Sequence, residues 1–590
     1  MDKKYFKTNR RNFLKGSAGA AALTMAPLTI KPAMAESGQS SSSSTRETLS
    51  SLISELKPNW DVLVIGSGYG GAIAAARLAE HFDLAVLERG KEHKAGNFAD
   101  TFSGIVKEVK TPSNPHGLFN VVVGDDVDVL QGNGLGGTSL INANALIVPE
   151  DDHFDGPEWP VEITTDRHNG KLLELYDKVY EMLGTSSVSN STALPKQRHL
   201  FSTTNKIVEN GVSAYVEELK ITVNIDKYNN EPNDQGVVQS PCTFCGDCVT
   251  GCNVGAKNTL DVNYLPLART NGAKIFTQCE VDTVEKISGG KYQVNGNYIT
   301  DNGEKEPFTV QADNVILAAG SLGSTGILLR SQQQQDIQFS SQLGECFSGN
   351  GDVLGMNYNQ DVYTEIEGFG TSTPPVAGHP GPTLTAVATH NGPNGEFIIE
   401  EGAIPSGILA AARYAAAISS PVGTVPQKRR VLRDLALTYK NGAMNHSQVY
   451  LGIGKETQLG KIGLDRNNNP KLNWPGAKND PTIVAIRDAM KAHTAVFNGN
   501  YIDNPRSELF GGSNLITVHP LGGCKVGSDI NSGVVNHKGQ CFDPATGGTH
   551  DGLYVCDGAI LPGAVGVNPF AVISVLAERI AEHFIEDKAV

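Results

Sequence analysis

The stretch that decides the fold is WDVLVIGSGYGGAIAAARLAEHFDLAVLERG, Trp60 to Gly90. It contains a short apolar strand, the motif Gly66-x-Gly68-x-x-Gly71, an alanine-rich helix and a second strand that ends at Glu88. The first glycine makes a tight turn, the second lets the backbone approach a pyrophosphate, and the third lets helix and strand pack closely. Glu88 lies at the position where a carboxylate accepts hydrogen bonds from the ribose hydroxyls. The pattern predicts a dinucleotide-binding unit without separating FAD from NAD.

Two later glycine-rich segments favour FAD. LQGNGLGGTSLINANA, residues 130–145, gathers small residues into one loop that can lie against a flat ring system. NVILAAGSLGSTGILL, residues 314–329, is an apolar run that meets glycines and then a helix-like pattern. We therefore expect distant segments to complete the nucleotide fold. The alternative is a second turn-rich unit with no contact to the nucleotide.

Composition limits the classes of protein to consider. The 590 residues are enough for several domains, and 39% hydrophobic residues with 65 glycines indicate a globular protein rich in tight turns. The formal charge of −15 argues against nucleic acid and anionic membrane surfaces as partners. Beyond the N-terminus no apolar run approaches the roughly 20 residues of a membrane helix, so no transmembrane helix is expected in the mature chain.

The N-terminus has the pattern of an export signal. NRRNFLK, Asn9 to Lys15, precedes a mildly apolar stretch and the cleavage-site pattern Ala33-Met34-Ala35. The paired arginines resemble a twin-arginine signal; an ordinary secretory signal or an amphipathic anchor is the alternative. We predict a signal peptide over residues 1–35, a Ser-rich linker over 36–57, the twin-arginine export machinery as a partner, and a periplasmic or secreted location.

The C-terminal region carries a family resemblance. HPLGGCKVG (from His519) and GLYVCDGAILPGAVGVNPFAVISVLAERIAEH (from Gly552), taken with GSGYGG, GNGLGGTSLIN and AAGSLGST, resemble the glucose-methanol-choline (GMC) oxidoreductases, most of all their FAD-dependent cholesterol oxidase branch. The resemblance implies an α/β fold with a discontinuous, Rossmann-like FAD domain. It also implies an inserted α+β substrate domain, built on an antiparallel sheet that roofs the flavin. The expected limits are 58–155, 241–345 and 510–590 for the FAD domain, and 156–240 and 346–509 for the substrate domain.

The resemblance also implies which residues contact FAD. The first glycine motif and Glu88 are expected to bind the pyrophosphate and ribose of FAD. The second glycine-rich loop is expected to contact the flavin ring, and the C-terminal segment to close the site. The implied contacts are Gly66, Gly68, Gly71 and Glu88; Gly136, Gly137 and Asn142; Val281 beside the adenine; and Asp557, Gly558, Asn568, Pro569 and Phe570.

Alcohol oxidation by hydride transfer needs a base that removes the hydroxyl proton as the hydride moves to the flavin. His519 in HPLGG matches the family's catalytic histidine, and a neutral imidazole near pH 7 accepts such a proton. Asn568 in GVNPF matches the second active-site residue, an amide that donates to the substrate oxygen. The alternatives are a structural histidine and an ordinary Asn-Pro turn.

A third candidate is a carboxyl group. FIIEEGAIPSG, Phe397 to Gly407, resembles the cholesterol oxidase segment whose glutamate moves a proton when a ring double bond migrates, and its alignment selects Glu400 over Glu401. Neighbouring isoleucines raise the pKa of such a group if it is buried, as a proton shuttle needs. The alternative is a pair of solvated charges at a strand end.

Four cysteines are concentrated in CTFCGDCVTGCN, residues 242–253. The C-x2-C-x2-C-x3-C spacing is that of bacterial ferredoxins, and it predicts an iron–sulfur cluster of the 4Fe–4S or 3Fe–4S type. Disulfides formed after export, a zinc site and free thiols are the alternatives. The predicted ligands are Cys242, Cys245, Cys248 and Cys252.

The motif departs from the ferredoxin pattern in one place. The fourth cysteine is followed by Asn253 rather than proline, and in two-cluster ferredoxins that cysteine serves the other cluster. Three possibilities stay open: Cys252 completes the same cluster, a remote cysteine such as Cys524 does so, or the cluster has three irons.

These patterns predict an exported FAD-dependent oxidoreductase that acts on a bulky apolar secondary alcohol, a 3-hydroxysteroid such as cholesterol, with double-bond isomerisation as an accompanying activity. Electrons are expected to pass to oxygen, or through the cluster to an external acceptor. The alternatives are a sugar or polyol dehydrogenase of the same family and a noncatalytic flavin and iron–sulfur electron carrier.

Overall fold

The computed structural model describes residues 47–189, 194–372, 380–392, 395–420, 423–436, 441–504 and 514–589. The predicted signal peptide and the first part of the predicted linker lie outside these residues. No helix within the described ranges combines the length and apolar character needed to cross a membrane.

The helices and strands are numbered here in chain order. The helices are α1 (Tyr69–Leu78), α2 (Phe102–Lys107), α3 (Val161–His168), α4 (Lys171–Leu183), α5 (Pro195–Glu209), α6 (Tyr264–Thr270), α7 (Gly320–Gln334), α8 (Ser406–Ser419), α9 (Val425–Leu435), α10 (Pro481–Ala495) and α11 (Phe570–Lys588). The strands are β1 (Asn59–Ile65), β2 (Leu84–Leu87), β3 (Phe119–Val123), β4 (Val127–Gly132), β5 (Ala214–Glu218), β6 (Glu231–Pro232), β7 (Val238–Gln239), β8 (Lys274–Phe276), β9 (Cys279–Lys286), β10 (Tyr292–Ile299), β11 (Lys305–Leu317), β12 (Val353–Tyr358), β13 (Ala386–Gly392), β14 (Gly395–Gly402), β15 (Gln448–Gly454), β16 (Lys461–Leu464), β17 (Pro470–Asn473), β18 (Asn500–Asp503), β19 (Leu515–Thr517), β20 (Gln540–Phe542) and β21 (Thr549–Val555).

The first large sheet has β1 at its centre and the order β20-β21-β11-β1-β2-β8. β1 runs parallel to both β11 and β2, and residues Val62 to Ile65 are buried because both faces of a central parallel strand are covered. β10 and β9 extend β11 as an antiparallel ribbon. This sheet confirms the predicted Rossmann-like unit, including its completion by the distant β11 and α7.

The second sheet is antiparallel, with the order β18-β12-β15-β14-β13-β5. One face packs against α5 and α10 through residues such as Phe397 and Ile399. The opposite face carries Val387 and Ile398 and packs near residues 143–147 of the second glycine-rich region. The predicted antiparallel sheet is therefore confirmed, whereas the exact domain limits stay a prediction.

Short elements connect the two sheets. β19 pairs with β4, which pairs with β3, so the chain leaves β19 and enters HPLGG beside the second glycine-rich loop. α11 packs on α1, where the rings of Phe570 and Tyr69 stack with centroids 4.9 Å apart. The C-terminal motifs are thereby placed next to the first glycine motif.

Candidate active site

The first glycine motif forms an open helix N-terminus. Gly66 has φ of +100°, and a Cβ there would lie 2.3 Å from the carbonyl oxygen of Ala318. Gly68 is the N-cap of α1 and has an extended backbone conformation. Apart from Gly68 and its two chain neighbours, no described residue has an atom within 4 Å of the position that its Cβ would occupy. A Cβ on Gly71 would lie 2.1 Å from the oxygen of Gly66. The first turn of α1 thus presents backbone N–H groups to open space, as pyrophosphate binding requires.

Glu88 joins the two glycine-rich loops. Its Oε2 accepts hydrogen bonds from the backbone N–H and the hydroxyl of Ser67, at 3.1 and 2.6 Å, and its Oε1 accepts from the N–H of Gly90 at 2.7 Å. The Ser67 hydroxyl in turn accepts from the N–H of Gly136 at 3.0 Å. The carboxylate therefore has a structural role in addition to its predicted contact with ribose.

The second glycine-rich loop lies directly on the first. Gly136 and Gly137 both have positive φ, +103° and +57°, and a Cβ on Gly137 would lie 3.0 Å from the Cα of Gly68. The side-chain amide of Asn142 donates to the hydroxyl of Tyr69 at 2.8 Å, while its Oδ1 is buried and accepts no hydrogen bond from any described residue. An unpartnered buried acceptor beside an open helix N-terminus fits a bound cofactor.

The C-terminal segment closes the same region. Asp557 accepts hydrogen bonds from the N–H of Gly320 at 2.8 Å and from the hydroxyl of Ser324 at 2.5 Å, and burial raises its pKa to about 6. It thereby ties the 556–559 segment to the start of α7. A Cβ on Gly70 would lie 1.6 Å from the oxygen of Cys556, so α1 and this segment are in backbone contact.

The remaining predicted FAD contacts lie around this cradle. Gly558 follows Asp557 in a short 3-10 turn, and Pro569 and Phe570 form the start of α11. Val281 is buried in β9, a strand that begins at Cys279, whose N–H donates to the oxygen of Glu88 at 2.8 Å. None of these positions is shown to contact FAD, and their roles stay predictions.

His519 is held by a carboxylate that sequence reasoning missed. Its Nδ1 lies 2.8 Å from Oδ1 of Asp352, and the other carboxylate oxygen accepts from the hydroxyl of Thr517 and the N–H of Val518, at 2.9 and 2.8 Å. With Nδ1–H donating to Asp352, Nε2 carries a free lone pair and can accept a proton. Asp352 belongs to no recognisable motif; only the fold brings it to the histidine.

Asn568 and Glu400 form a second buried pair. The amide of Asn568 donates to Oε2 of Glu400 at 3.3 Å, and the remaining oxygens, Oδ1 of Asn568 and Oε1 of Glu400, have no hydrogen-bond partner among the described residues. Burial raises the pKa of Glu400 to about 8, and the negative charge of Asp352 acts in the same direction. The hydrogen bond from Asn568 lowers the pKa but does not cancel these effects. The alternative of solvated charges at a strand end is therefore excluded, because Glu400 is 0% exposed.

Asn350 links the segments that carry the two pairs. Asn350 donates to the oxygen of Val567 at 2.7 Å and accepts from the N–H groups of Val565 and Gly566, at 2.8 and 3.0 Å. This fixes the segment that ends in Asn568 to the turn that leads into Asp352. The turn at Asn350 therefore ties the two pairs together, and Asp352 is near enough to Glu400 for its charge to raise the pKa of that carboxyl group.

The four clustered cysteines line one cavity. Its other walls include Val223, Val254, Ala256 and Pro382 together with Lys257. All four thiols are free, and no disulfide links any cysteine of the described residues. Cys524 does not line the cavity but lies buried with its sulfur 3.4 Å from the hydroxyl of Thr325. Over the described ranges, no three His, Cys, Asp or Glu side chains are arranged to hold a metal ion.

Comparisons with known proteins identify the family. The two models described as GMC oxidoreductase match residues 61–348 and 459–577, and a model of the twin-arginine translocation signal matches residues 7–27. The chain belongs to the GMC oxidoreductase family and is an FAD-dependent oxidoreductase that acts on CH–OH groups. The signal confirms the predicted export by the twin-arginine route to the periplasm or beyond.

Several relatives align over most of the chain. A cholesterol oxidase of Acinetobacter baumannii is 27% identical, with 90% of this chain and 96% of the relative covered. A cholesterol oxidase of Mycobacterium tuberculosis is 28% identical (89% and 91% covered), and a long-chain-alcohol oxidase of Arabidopsis thaliana is 22% identical (89% and 67% covered).

Solved structures share the fold at low identity. A pyridoxine 4-oxidase from Mesorbium loti superposes with a TM-score of 0.57 at 15% identity, covering 89% of this chain and 99% of its own. A fungal aryl-alcohol oxidase gives a TM-score of 0.53 at 16% identity, covering 90% and 100%. These two likenesses confirm the predicted fold class.

Proposed function

We propose that this protein oxidises a bulky apolar secondary alcohol, a 3-hydroxysteroid such as cholesterol, with FAD held between the two glycine-rich loops. The observation that carries this proposal is the joint placement of the Asp352–His519 pair and the buried Asn568–Glu400 pair in one region. FAD, when bound, supplies the hydride acceptor.

The residues proposed to hold FAD are glycines that allow close backbone approach, polar residues beside them, and three apolar residues, Val281, Pro569 and Phe570. Two unpartnered buried oxygens, on Asn142 and Asn568, support the assignment. The proposed contacts are Gly66, Gly68, Gly71, Glu88, Gly136, Gly137, Asn142, Val281, Asp557, Gly558, Asn568, Pro569 and Phe570.

His519 is the proposed base. Its Nε2 takes the proton of the substrate hydroxyl while Asp352, bonded to Nδ1, holds the ring and stabilises the imidazolium that forms. The amide of Asn568 donates to the same substrate oxygen and orients the alcohol. Asp352 holds His519, and Asn350 holds the segment just before Asn568, so one turn positions both residues.

Glu400 favours a steroid over a sugar. A carboxyl group that is fully buried, and whose pKa is raised to about 8, is suited to taking a proton from one ring carbon and returning it to another. Simple alcohol or sugar oxidation needs no such second proton carrier. The similarity to two cholesterol oxidases over about nine-tenths of the chain supports the same substrate class.

We further propose that Cys242, Cys245, Cys248 and Cys252 hold an iron–sulfur cluster that carries electrons from the flavin to an external acceptor. The support is the ferredoxin-like spacing together with four free thiols on one cavity. Because no three His, Cys, Asp or Glu side chains among the described residues are arranged for a metal ion, the proposal rests on the spacing and on the shared cavity alone.

The substrate proposal is tested by mixing the anaerobic, FAD-containing protein with cholesterol and recording the flavin absorbance. We expect a sterol to bleach the flavin and a 3-keto product to form in equal amount. Bleaching by a sugar or polyol alone contradicts the steroid assignment. Failure of every alcohol to bleach an intact flavin favours a noncatalytic electron carrier.

The cluster proposal is tested by iron and acid-labile sulfide per FAD, in protein purified anaerobically before export. We expect both in near-constant ratio to FAD. Intact FAD-containing protein without iron and sulfide contradicts the cluster and makes oxygen the expected acceptor.

A further inference from the structure

One buried lysine connects the second glycine-rich loop with the cysteine cavity. The ammonium of Lys257 donates to the backbone oxygen of Asn142 at 2.6 Å and to that of Cys248 at 3.0 Å. Asn142 belongs to the loop proposed to line the flavin, and Cys248 is a proposed cluster ligand. Two hydrogen bonds from one side chain therefore fix the separation between these two segments.

The charge of Lys257 has no carboxylate bonded to it. Lys257 is 2% exposed, and its hydrogen bonds within the described residues go to two carbonyl oxygens. Lys196, which also lies near Cys248, is equally buried but pairs with Glu401 at 2.6 Å. A buried ammonium is stabilised by nearby negative charge: the carboxylate of Asp261 acts on Lys257 from a distance, and a cluster bound by four thiolates would add negative charge beside it.

We propose that Lys257 is the positioning residue that couples the flavin to the cysteine cavity: its charge stabilises the reduced form of the cluster, and its two hydrogen bonds fix the path between the two sites. This inference rests on the proposed cluster. Removal of the charge lowers the cluster's reduction potential, since each added electron makes the cluster more negative.

The electron balance needs only the acceptor named above. Each alcohol that becomes a ketone releases two electrons and two protons. The electrons reduce two molecules of a one-electron acceptor, for which ferricyanide is the probe, and the protons pass to solvent.

The experiment compares Lys257→Met and Lys257→Arg with the wild-type holoenzyme. Lys461→Met is the matched control, because it removes a lysine that is 61% exposed and paired with Glu345 at the surface. Three quantities are measured: iron and sulfide per FAD, the cluster potential by redox titration with EPR detection, and the rates of anaerobic flavin reduction and ferricyanide turnover.

We expect Lys257→Met to shift the one-electron equilibrium of the cluster towards its oxidised form at least about tenfold, which corresponds to about 59 mV. Ferricyanide turnover falls by a larger factor than flavin reduction. Lys257→Arg keeps the charge and recovers most of the potential, and Lys461→Met leaves it unchanged.

Other outcomes are equally decisive. An unchanged cluster potential in a Lys257→Met protein with its full content of iron and sulfide overturns the inference. Loss of the cluster in both Lys257 variants also overturns it, because the charge that Lys257→Arg retains then has no effect. Loss of the cluster in Lys257→Met but not in Lys257→Arg supports the inference. Wild-type protein without iron and sulfide overturns the inference and the cluster proposal together, while bleaching of the flavin by a sterol still upholds the substrate proposal.

Discussion

Two neighbouring regions of this molecule handle polar groups in opposite ways. Beside the proposed substrate site, Asp352, His519, Asn568 and Glu400 form hydrogen-bonded pairs that leave single atoms free. Around the cysteine cavity, four thiols share a mostly apolar lining with Asp247 and with Lys257, to which no carboxylate is bonded. The first arrangement suits the movement of protons and the second suits the holding of charge, so each can be altered separately.

The largest effect is expected from His519→Gln, which removes the base while keeping a polar side chain of similar size. Alcohol-dependent flavin reduction should fall about 10²–10⁴-fold, the usual contribution of a positioned base. Stopped-flow spectroscopy of the anaerobic protein measures this loss. Iron, sulfide and FAD contents should not change, since the cysteine cavity has no part in proton removal.

Asp352→Asn is the graded control for that variant. It removes the charge that stabilises the imidazolium but leaves His519 in place, so we expect a loss of roughly 10–100-fold. An Asp352→Asn protein as fast as wild type contradicts the role given to this pair.

Cys248→Ser is expected to have an intermediate effect and to act on the other region. Iron and sulfide per FAD should fall sharply, and ferricyanide turnover with alcohol should decrease about tenfold, equivalent to about 1.4 kcal/mol at the barrier. Flavin reduction by the alcohol should persist. A variant that loses both activities while retaining FAD shows that the two regions are not separable.

Glu400→Gln should change alcohol oxidation least, by less than about threefold, because the base is elsewhere. Its effect falls on double-bond migration, which should nearly vanish. In the wild type, migration requires the carboxylate, and the pKa of Glu400 is raised to about 8, so its rate should rise with pH up to and through that value. Product analysis between pH 6 and 9 tests this, and a pH-independent product ratio contradicts it.

The sequence allowed much of the nucleotide region to be predicted, because glycines there are required by local geometry. Gly66 adopts positive φ, and Gly71 leaves no space for a Cβ. Because these constraints act locally, they appear in the sequence as a short motif with fixed spacing. His519 and Asn568 were instead predicted from the family resemblance of motifs near the C-terminus, and their roles stay predictions.

Other residues depend on contacts that the sequence does not contain. Asp352 lies 167 positions before His519, and Lys257 is separated from Asn142 by 115. The resemblance selected Glu400 over Glu401, but the physical reason is not local: strand alternation sends one to each face of the sheet, and the register with β13 and β15 decides which one faces Asn568. Long-range pairing of this kind leaves no local pattern.

The walls of the cysteine cavity imply an order of events during synthesis. The segment that carries the thiols is covered by later parts of the chain: Phe369 donates its N–H to the oxygen of Cys245 at 3.0 Å, and Ser406 donates to Asp247 at 2.8 Å. The cysteines therefore leave the ribosome before the residues that enclose them. Any inorganic cofactor therefore has an interval in which to bind before the later segments enclose the cysteines. The folded protein then carries the enclosed cofactor through the translocation pore.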